Sequence, residues 1–192
     1  MIRESIITTL SAAGALHIAP MGVIWREGFP VLAPFRPSRT LDNLRENPCA
    51  VINHTDDVRL FAGCLTGRRD WPVGPAEQIR GAVIAGALSH QEIVVDSVED
   101  DPVRPRFRCR VVHETTHRGF LGFNRAQAAV IEGAILISRL ELLPADKIDR
   151  EMEYLAIAID KTAGPAEREA WQWLQERLAA FRAGTAAKER TE

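Results

Sequence analysis

Apolar and polar residues alternate with a period of two along the N-terminal part of the chain, and the period lengthens to 3.6 only at Asn124. That single change limits the fold. Strands come first and helices last, which is an α+β order and not the alternation of a parallel α/β sheet. Ile2, Glu4, Ile6, Thr8 and Leu10 alternate with Arg3, Ser5, Ile7 and Thr9, as in a strand with one wetter end. A Gly-containing turn at Ser11-Ala12-Ala13-Gly14 leads into a second strand, Leu16 to Trp25. Pro20 removes a ladder donor there, so that strand must be at an edge or bulged. Glu27-Gly28 forms a second turn and Phe29 to Ala33 a third strand, which makes a meander.

Thr40 is the expected N-cap of a short helix with Leu41 and Leu44 on one face, ending before Pro48. Cys49 to Asn53 reads as a fourth strand. His54-Thr55-Asp56-Asp57 reads as a turn into a second short helix ending near Gly67, and residues 68–77 as a surface loop. Glu92 to Glu99 and Arg106 to Thr116 form a hairpin joined by residues 100–105. Phe107, Cys109 and Val111 face inward, while Arg106, Arg108 and Arg110 meet Glu92, Asp96 and Glu99. From Asn124, a capping box with Gln127 opens a helix whose buried face is Ala126, Ala129, Val130, Gly133, Ile137 and Leu140. Pro144 breaks the chain. Asp146 caps a helix carrying Ile148, Met152, Leu155 and Ile159, which Gly164 ends and Pro165 restarts. The last helix shows Trp171, Leu174, Leu178 and Phe181 at three- and four-residue steps. The expected division is a barrel core at 1–123, a helical region at 124–184 and a flexible tail at 185–192.

Composition narrows the function classes. A hydrophobic fraction of 46% with mean hydropathy −0.11 belongs to an ordinary globule. A formal net charge of −2 gives no global field for nucleic acid. No apolar run approaches the roughly 18 residues of a membrane span. Arg3 and Glu4, followed by Ser and Thr, do not read as a leader. Cys49, Cys64 and Cys109 form no C-x-x-C pair, so the expectation is reduced thiols in a cytoplasmic protein.

The loop Arg36-Pro37-Ser38-Arg39-Thr40 carries the strongest chemistry. A helix N-terminus has unpaired N–H groups and a positive dipole end, and two guanidiniums with two hydroxyls add charge-assisted donors, so the loop suits a phosphate. The same residues would also serve as a helix cap with solvated arginines. Pro20, Met21 and Gly22 can offer main chain to a flat ring, or simply form a bulged edge with Met21 in the core. Asn53, His54 and Thr55 have groups for a ring edge, while Asp56 or Asp57 suits a helix cap. His113 and His117 share a four-residue spacing with Cys109, but four residues of strand span ~13 Å, too far for one ion, so no metal site is expected. Arg104 to Arg110 lacks interleaved aromatics and reads as a solvated sheet face. Arg118 to Arg125, with two glycines and two phenylalanines, reads as a shaped loop usable as a pocket wall. Sequence signatures for Rossmann, P-loop, α/β-hydrolase and zincin sites are missing, and no nucleophile–base pair can be read from the chain.

Five segments in order, ITTL…G…HIAPMGV, PFRPSRTLDNL, AVINHTDDVRLF, GFNRAQAAVIEGAILISRL and IDREMEYLAIAIDKTAG, resemble the DUF447 family of flavin-reductase-like, FMN-binding split-barrel proteins. The resemblance runs from about Ile2 to Leu174. It implies an antiparallel Greek-key split β-barrel with a C-terminal helical extension, and FMN near a homodimer interface. By position it gives Arg36, Ser38, Arg39 and Thr40, with Asn43 nearby, to the phosphate. Pro20, Met21 and Gly22 would flank the isoalloxazine, Asn53, His54 and Thr55 would reach its polar edge, and Asn124 and Arg125 would contribute further. The leading expectation is an FMN-dependent oxidoreductase, a reductase of unknown substrate using a donor such as NAD(P)H. The alternatives are a flavin-binding carrier or sensor without turnover, linked to pterin-cofactor metabolism, and a structural dimer whose phosphate loop stays empty. No nucleic-acid or membrane partner is expected.

Overall fold

The computed structural model describes residues 1–188. The described residues form two compact units: 1–56 with 70–120, and 57–69 with 121–188. The first unit contains β1 (Ile2–Leu10), β2 (Leu16–Arg26), β3 (Phe29–Leu32), α1 (Arg39–Glu46), β4 (Cys49–His54), β5 (Val73–Pro75), β6 (Ala82–Ile84), β7 (Ser89–Glu99) and β8 (Arg106–Thr116). Six of these strands close an antiparallel barrel in the order β1-β2-β3-β8-β7-β4. It is the split-barrel topology expected from the sequence.

Every barrel strand sends alternate side chains inward. Ile7, Val23, Leu32, Ala50, Ile52, Ile93, Phe107 and Cys109 form the core, joined by Leu41 and Leu44 of α1. A buried bond from Asn43 Nδ2 to Thr9 Oγ1 (2.9 Å) ties that helix to β1. Pro20 needs no bulge. β2 runs in continuous register with β1, whereas it meets β3 only from Ile24 to Arg26, so the absent N–H of Pro20 interrupts no ladder with β3.

The outward side chains of β1, β4 and β7 are covered by residues 70–88. This stretch holds the β5–β6 hairpin, where the sequence suggested a loop. Three-residue strands containing Gly74 and Pro75 are too short to show a period of two. Polar groups anchor the cover. Thr8 Oγ1 donates to Ala82 O, and Asn53 Oδ1 accepts from Ile84 N (2.9 Å) while its amide donates to Ile6 O (3.1 Å). Glu92 accepts from the backbone of Glu77, Gln78 and Ile79 at 2.6, 2.7 and 3.0 Å. The expected Glu92–arginine pairing is therefore corrected: Glu92 is opposite His113 and fully buried, because the β7–β8 register shifts there. Asp96 and Glu99 do reach Arg110 and Arg106.

The second unit comprises α2 (Arg59–Leu65), α3 (Arg125–Ile137), α4 (Ala145–Thr162) and α5 (Pro165–Lys188). Its core is built from Val58, Ala62, Ala126, Ala129, Val130, Ala134, Ile148, Met152, Ile159, Trp171 and Leu174. The expected helix ends differ in detail. Asn124 caps α3 through Ala126 N (2.8 Å), but Gln127 donates to Glu167 instead of closing a capping box. Asp146 is in the first turn of α4, bonded to Arg150, and caps nothing. α5 is secured at its start by Glu167, whose Oε2 accepts from Gly164 N (2.9 Å). Of the tail expected at 185–192, the backbone continues as helix to Lys188, and residues 189–192 lie outside the described residues. No helix among the described residues is long and apolar enough to cross a membrane.

Candidate functional site

The loop from β3 to α1 begins with buried Ala33 and Pro34 and then turns outward, exposing Phe35, Arg36 and Pro37. Ser38, not Thr40, is the N-cap: its Oγ accepts from Leu41 N at 3.3 Å, and its carbonyl takes Asp42 N. The N–H groups of Arg39 and Thr40 consequently lack intrahelical acceptors. Thr40 is one residue inside the helix and only 3% exposed. Arg36 and Arg39 keep their guanidiniums at the surface. Arg36 pairs with Asp100 at 2.8 Å, and Asp100 also comes within 4.0 Å of Arg45. Asp100 is four-fifths exposed, so this bridge is weak and exchangeable.

A second loop holds the first in place. Pro34-Phe35-Arg36-Pro37 is matched by Pro102-Val103-Arg104-Pro105, and both read P-x-R-P. Arg36 N donates to Val103 O (2.8 Å), while Arg104 Nε and Nη2 donate to Ala33 O (3.0 and 2.8 Å). Arg104 also stacks its guanidinium 4.3 Å from the centroid of the Phe35 ring. Asp101 fixes the second loop by accepting from Arg104 and Val103 N–H groups, and these bonds hold its carboxyl below the usual range. Sequence reasoning placed Arg104 on a solvated face. The repeated P-x-R-P was the available signal.

The other expected residues divide by surroundings. Met21 packs against the barrel core, and Gly22 faces the other way. A Cβ on Gly22 would come within 2.8 Å of Ile2 and 3.1 Å of Glu4, so in this chain two side chains of β1 use that space. Asn53 is fully buried and committed to the β6 anchor, and Asn43 is committed to Thr9. His54 sits half-buried, its Nδ1 at 3.5 Å from Ser5 Oγ and its Nε2 at 3.3 Å from Gln91 Oε1. Thr55 is half-buried just beyond β4. Asn124 and Arg125 belong to the helical unit, where Asn124 bonds Ala126 N and Thr162 O and Arg125 is exposed. What remains exposed around the loop is Arg36, Arg39 and a partly exposed Ser38, a donor-rich corner able to take an anionic group.

Two family models match the chain: the DUF447 N-terminal domain over residues 3–118 and the DUF447 C-terminal model over residues 124–176, both described as proteins of unknown function. The chain belongs to the DUF447 family. No curated protein shows significant similarity to it. Among solved structures, an FMN-bound DUF447 protein, MM1853 from Methanosarcina mazei, is similar with TM-score 0.80 and 18% identity, over 92% of this chain and 94% of that one. The Pseudomonas fluorescens 2-nitrobenzoate 2-nitroreductase NbaA aligns with TM-score 0.51 and 19% identity, over 59% of this chain and 64% of that one. The NADH:FAD oxidoreductase SgcE6 of Streptomyces globisporus aligns with TM-score 0.51 and 11% identity, over 59% and 75%. At these identities the likeness establishes the fold.

Proposed function

We propose that this protein binds FMN and acts as a flavin-dependent oxidoreductase, a reductase that takes electrons from a small-molecule donor such as NAD(P)H. The observation that carries the reading is the exposed Arg36–Ser38–Arg39 corner at the start of α1, on a barrel shared with an FMN-bound member of the same family. The donor set fits the cofactor's phosphate: two guanidiniums, one hydroxyl and two helix N–H groups, with the exposed Asp100 as an exchangeable neutralising partner. Thr40 and Asn43, both 3% exposed, are better suited to holding α1 than to touching the ligand.

Bound FMN supplies the hydride chemistry itself. The chain's residues are left with binding and orientation. Arg36 and Arg39 would take the anionic tail, Arg104 holds the loop that presents them, and main chain near Met21 would flank the ring. This division of labour accounts for the lack of a nucleophile–base pair in the sequence. A homodimer belongs to the same reading, supported by Leu121 and Phe123, which are 90% and 100% exposed. The three free cysteines are consistent with a reducing, cytoplasmic setting.

The test is the absorption spectrum of the purified protein, followed by identification of the released chromophore and anaerobic mixing with NADH or NADPH. FMN release with bleaching by either donor is the expected result. FMN that neither nicotinamide reduces would favour a carrier or sensor, and a colourless protein with no affinity for added FMN refutes the proposal.

A further inference from the structure

β7, β8 and the residue that follows β8 bring three histidines and a carboxylate together on the outward face of the barrel, beside the 70–88 cover. His90 and Glu92 lie two residues apart on β7, and His113 is directly opposite Glu92 on β8. One donor atom from each of His90, Glu92 and His113 lies within 4.8 Å of the others. This set escapes the spacing argument against an ion held by Cys109, His113 and His117, because its members come from two paired strands and not from one.

We propose that His90, Glu92 and His113 form a binding site for one divalent transition-metal ion, zinc by the chemistry of the donors. Two borderline imidazoles and one hard carboxylate make a set that zinc takes, and they leave a fourth tetrahedral position for water or a small anion. The geometry supports an ion. In a tetrahedral site with bonds of ~2.0–2.1 Å, neighbouring donors are ~3.3–3.4 Å apart. His90 Nε2 and Glu92 Oε1 are 3.5 Å apart. His113, whose side chain is 23% exposed and whose Nε2 lies 2.8 Å from Thr115 Oγ1 and 3.4 Å from Glu77 Oε1, closes the set by exchanging those contacts through a turn of its side-chain torsions.

His90 carries the second, independent observation. It is 2% exposed, and its Nε2 makes no well-formed hydrogen bond, the Glu92 carboxylate lying 3.5 Å away. Buried polar atoms are nearly always satisfied, so an orphan aimed at a carboxylate calls for a ligand. Its other nitrogen, Nδ1, is 2.9 Å from His117 Nε2. When Nδ1–H donates to His117, Nε2 presents a bare lone pair towards Glu92, and two lone pairs face each other with nothing between them. A cation resolves that repulsion, and His117 then sets the tautomer of the ligating ring. Glu92 is equally prepared. Three backbone N–H groups, from Glu77, Gln78 and Ile79, fix its carboxylate at 2.6, 2.7 and 3.0 Å. A cavity of about 380 Å³, lined in part by Glu77, His90, His117 and Arg118, adjoins the cluster and provides an approach.

The experiment measures metal in the protein as purified, then titrates chelator-stripped protein with zinc against a chromophoric chelator. The His113→Ala variant is run beside it, since a partly exposed ligand can be removed with the fold intact, as circular dichroism would verify. Wild type should bind about one equivalent, and His113→Ala should lose more than the ~10–100-fold typical of losing an outer-shell partner. Cobalt substituted for zinc should show the visible bands of tetrahedral nitrogen–oxygen coordination in wild type only. Failure of folded wild type to bind zinc, or equal affinity in His113→Ala, overturns the proposal.

Discussion

Replacing Asn53 separates its two readings, ring-edge contact and structural anchor. Asn53→Leu keeps the volume and removes both polar groups from a fully buried position. In the native barrel Asn53 Oδ1 is the acceptor for Ile84 N at 2.9 Å, and the amide donates to Ile6 O at 3.1 Å. Leaving the buried Ile84 N–H unsatisfied costs ~1–3 kcal/mol, and the second bond adds ~1 kcal/mol. The expected loss is ~2–4 kcal/mol. For a chain of this size that lowers Tm by roughly 4–16 °C. Because Asn53 anchors the cover at β6, the 70–88 segment should also detach more often. Trypsin should then cut faster after Arg80, which lies in the turn between β5 and β6. Urea unfolding and timed digestion measure both effects, and FMN affinity is compared below the transition. Unchanged Tm and unchanged cleavage at Arg80, together with weakened FMN binding, would refute the anchor argument.

Four further outcomes are expected. Arg36→Ala with Arg39→Ala should weaken FMN binding ~10–100-fold, as titration would show, and alter stability by less than ~1 kcal/mol, since the Arg36–Asp100 pair is at the surface. Gly133→Ala should destabilise by ~1–3 kcal/mol in urea unfolding, because a Cβ there comes within 2.8 Å of Trp171 and 3.3 Å of Leu174 in a packed helix interface. Gly22→Ala should cost about 1 kcal/mol, because its Cβ meets the γ-methyl of the exposed Ile2 and the carboxylate end of Glu4, and both side chains can turn aside into solvent; a large drop in FMN affinity would put the ring over this strand. Native protein should resist thiol reagents at pH 8 until denatured, because burial pushes Cys64 up to about 11 and Cys109 up to about 12, and raises Cys49 as well.

What could be read directly was local. Period-two alternation marked β1 to β4 and the β7–β8 hairpin, helical spacing marked α3 to α5, and Pro48, Pro144 and Gly164 marked the breaks. Hydrophobic periodicity is a property of neighbours in the chain, so one strand or helix suffices to reveal it. Caps were legible to within two residues: Ser38 replaced Thr40 because either hydroxyl can accept from a first-turn N–H, and only the path of the loop chooses. The cationic corner at Arg36 and Arg39 was visible for the same local reason.

Tertiary structure decided what depends on distant pairing. Asn53 faces outward beneath β6, and Glu92 was drawn from an expected surface pairing into a buried backbone cradle, through contacts with residues 13 to 31 positions away. The two P-x-R-P loops interlock only because β3 and β8 are neighbours in the closed barrel. His90, Glu92, His113 and His117 are spread over 28 positions in sequence and meet because a bulged antiparallel register brings them to one face. Register is set by which faces can be buried together, and that choice is made by the whole barrel, not by any one of its strands.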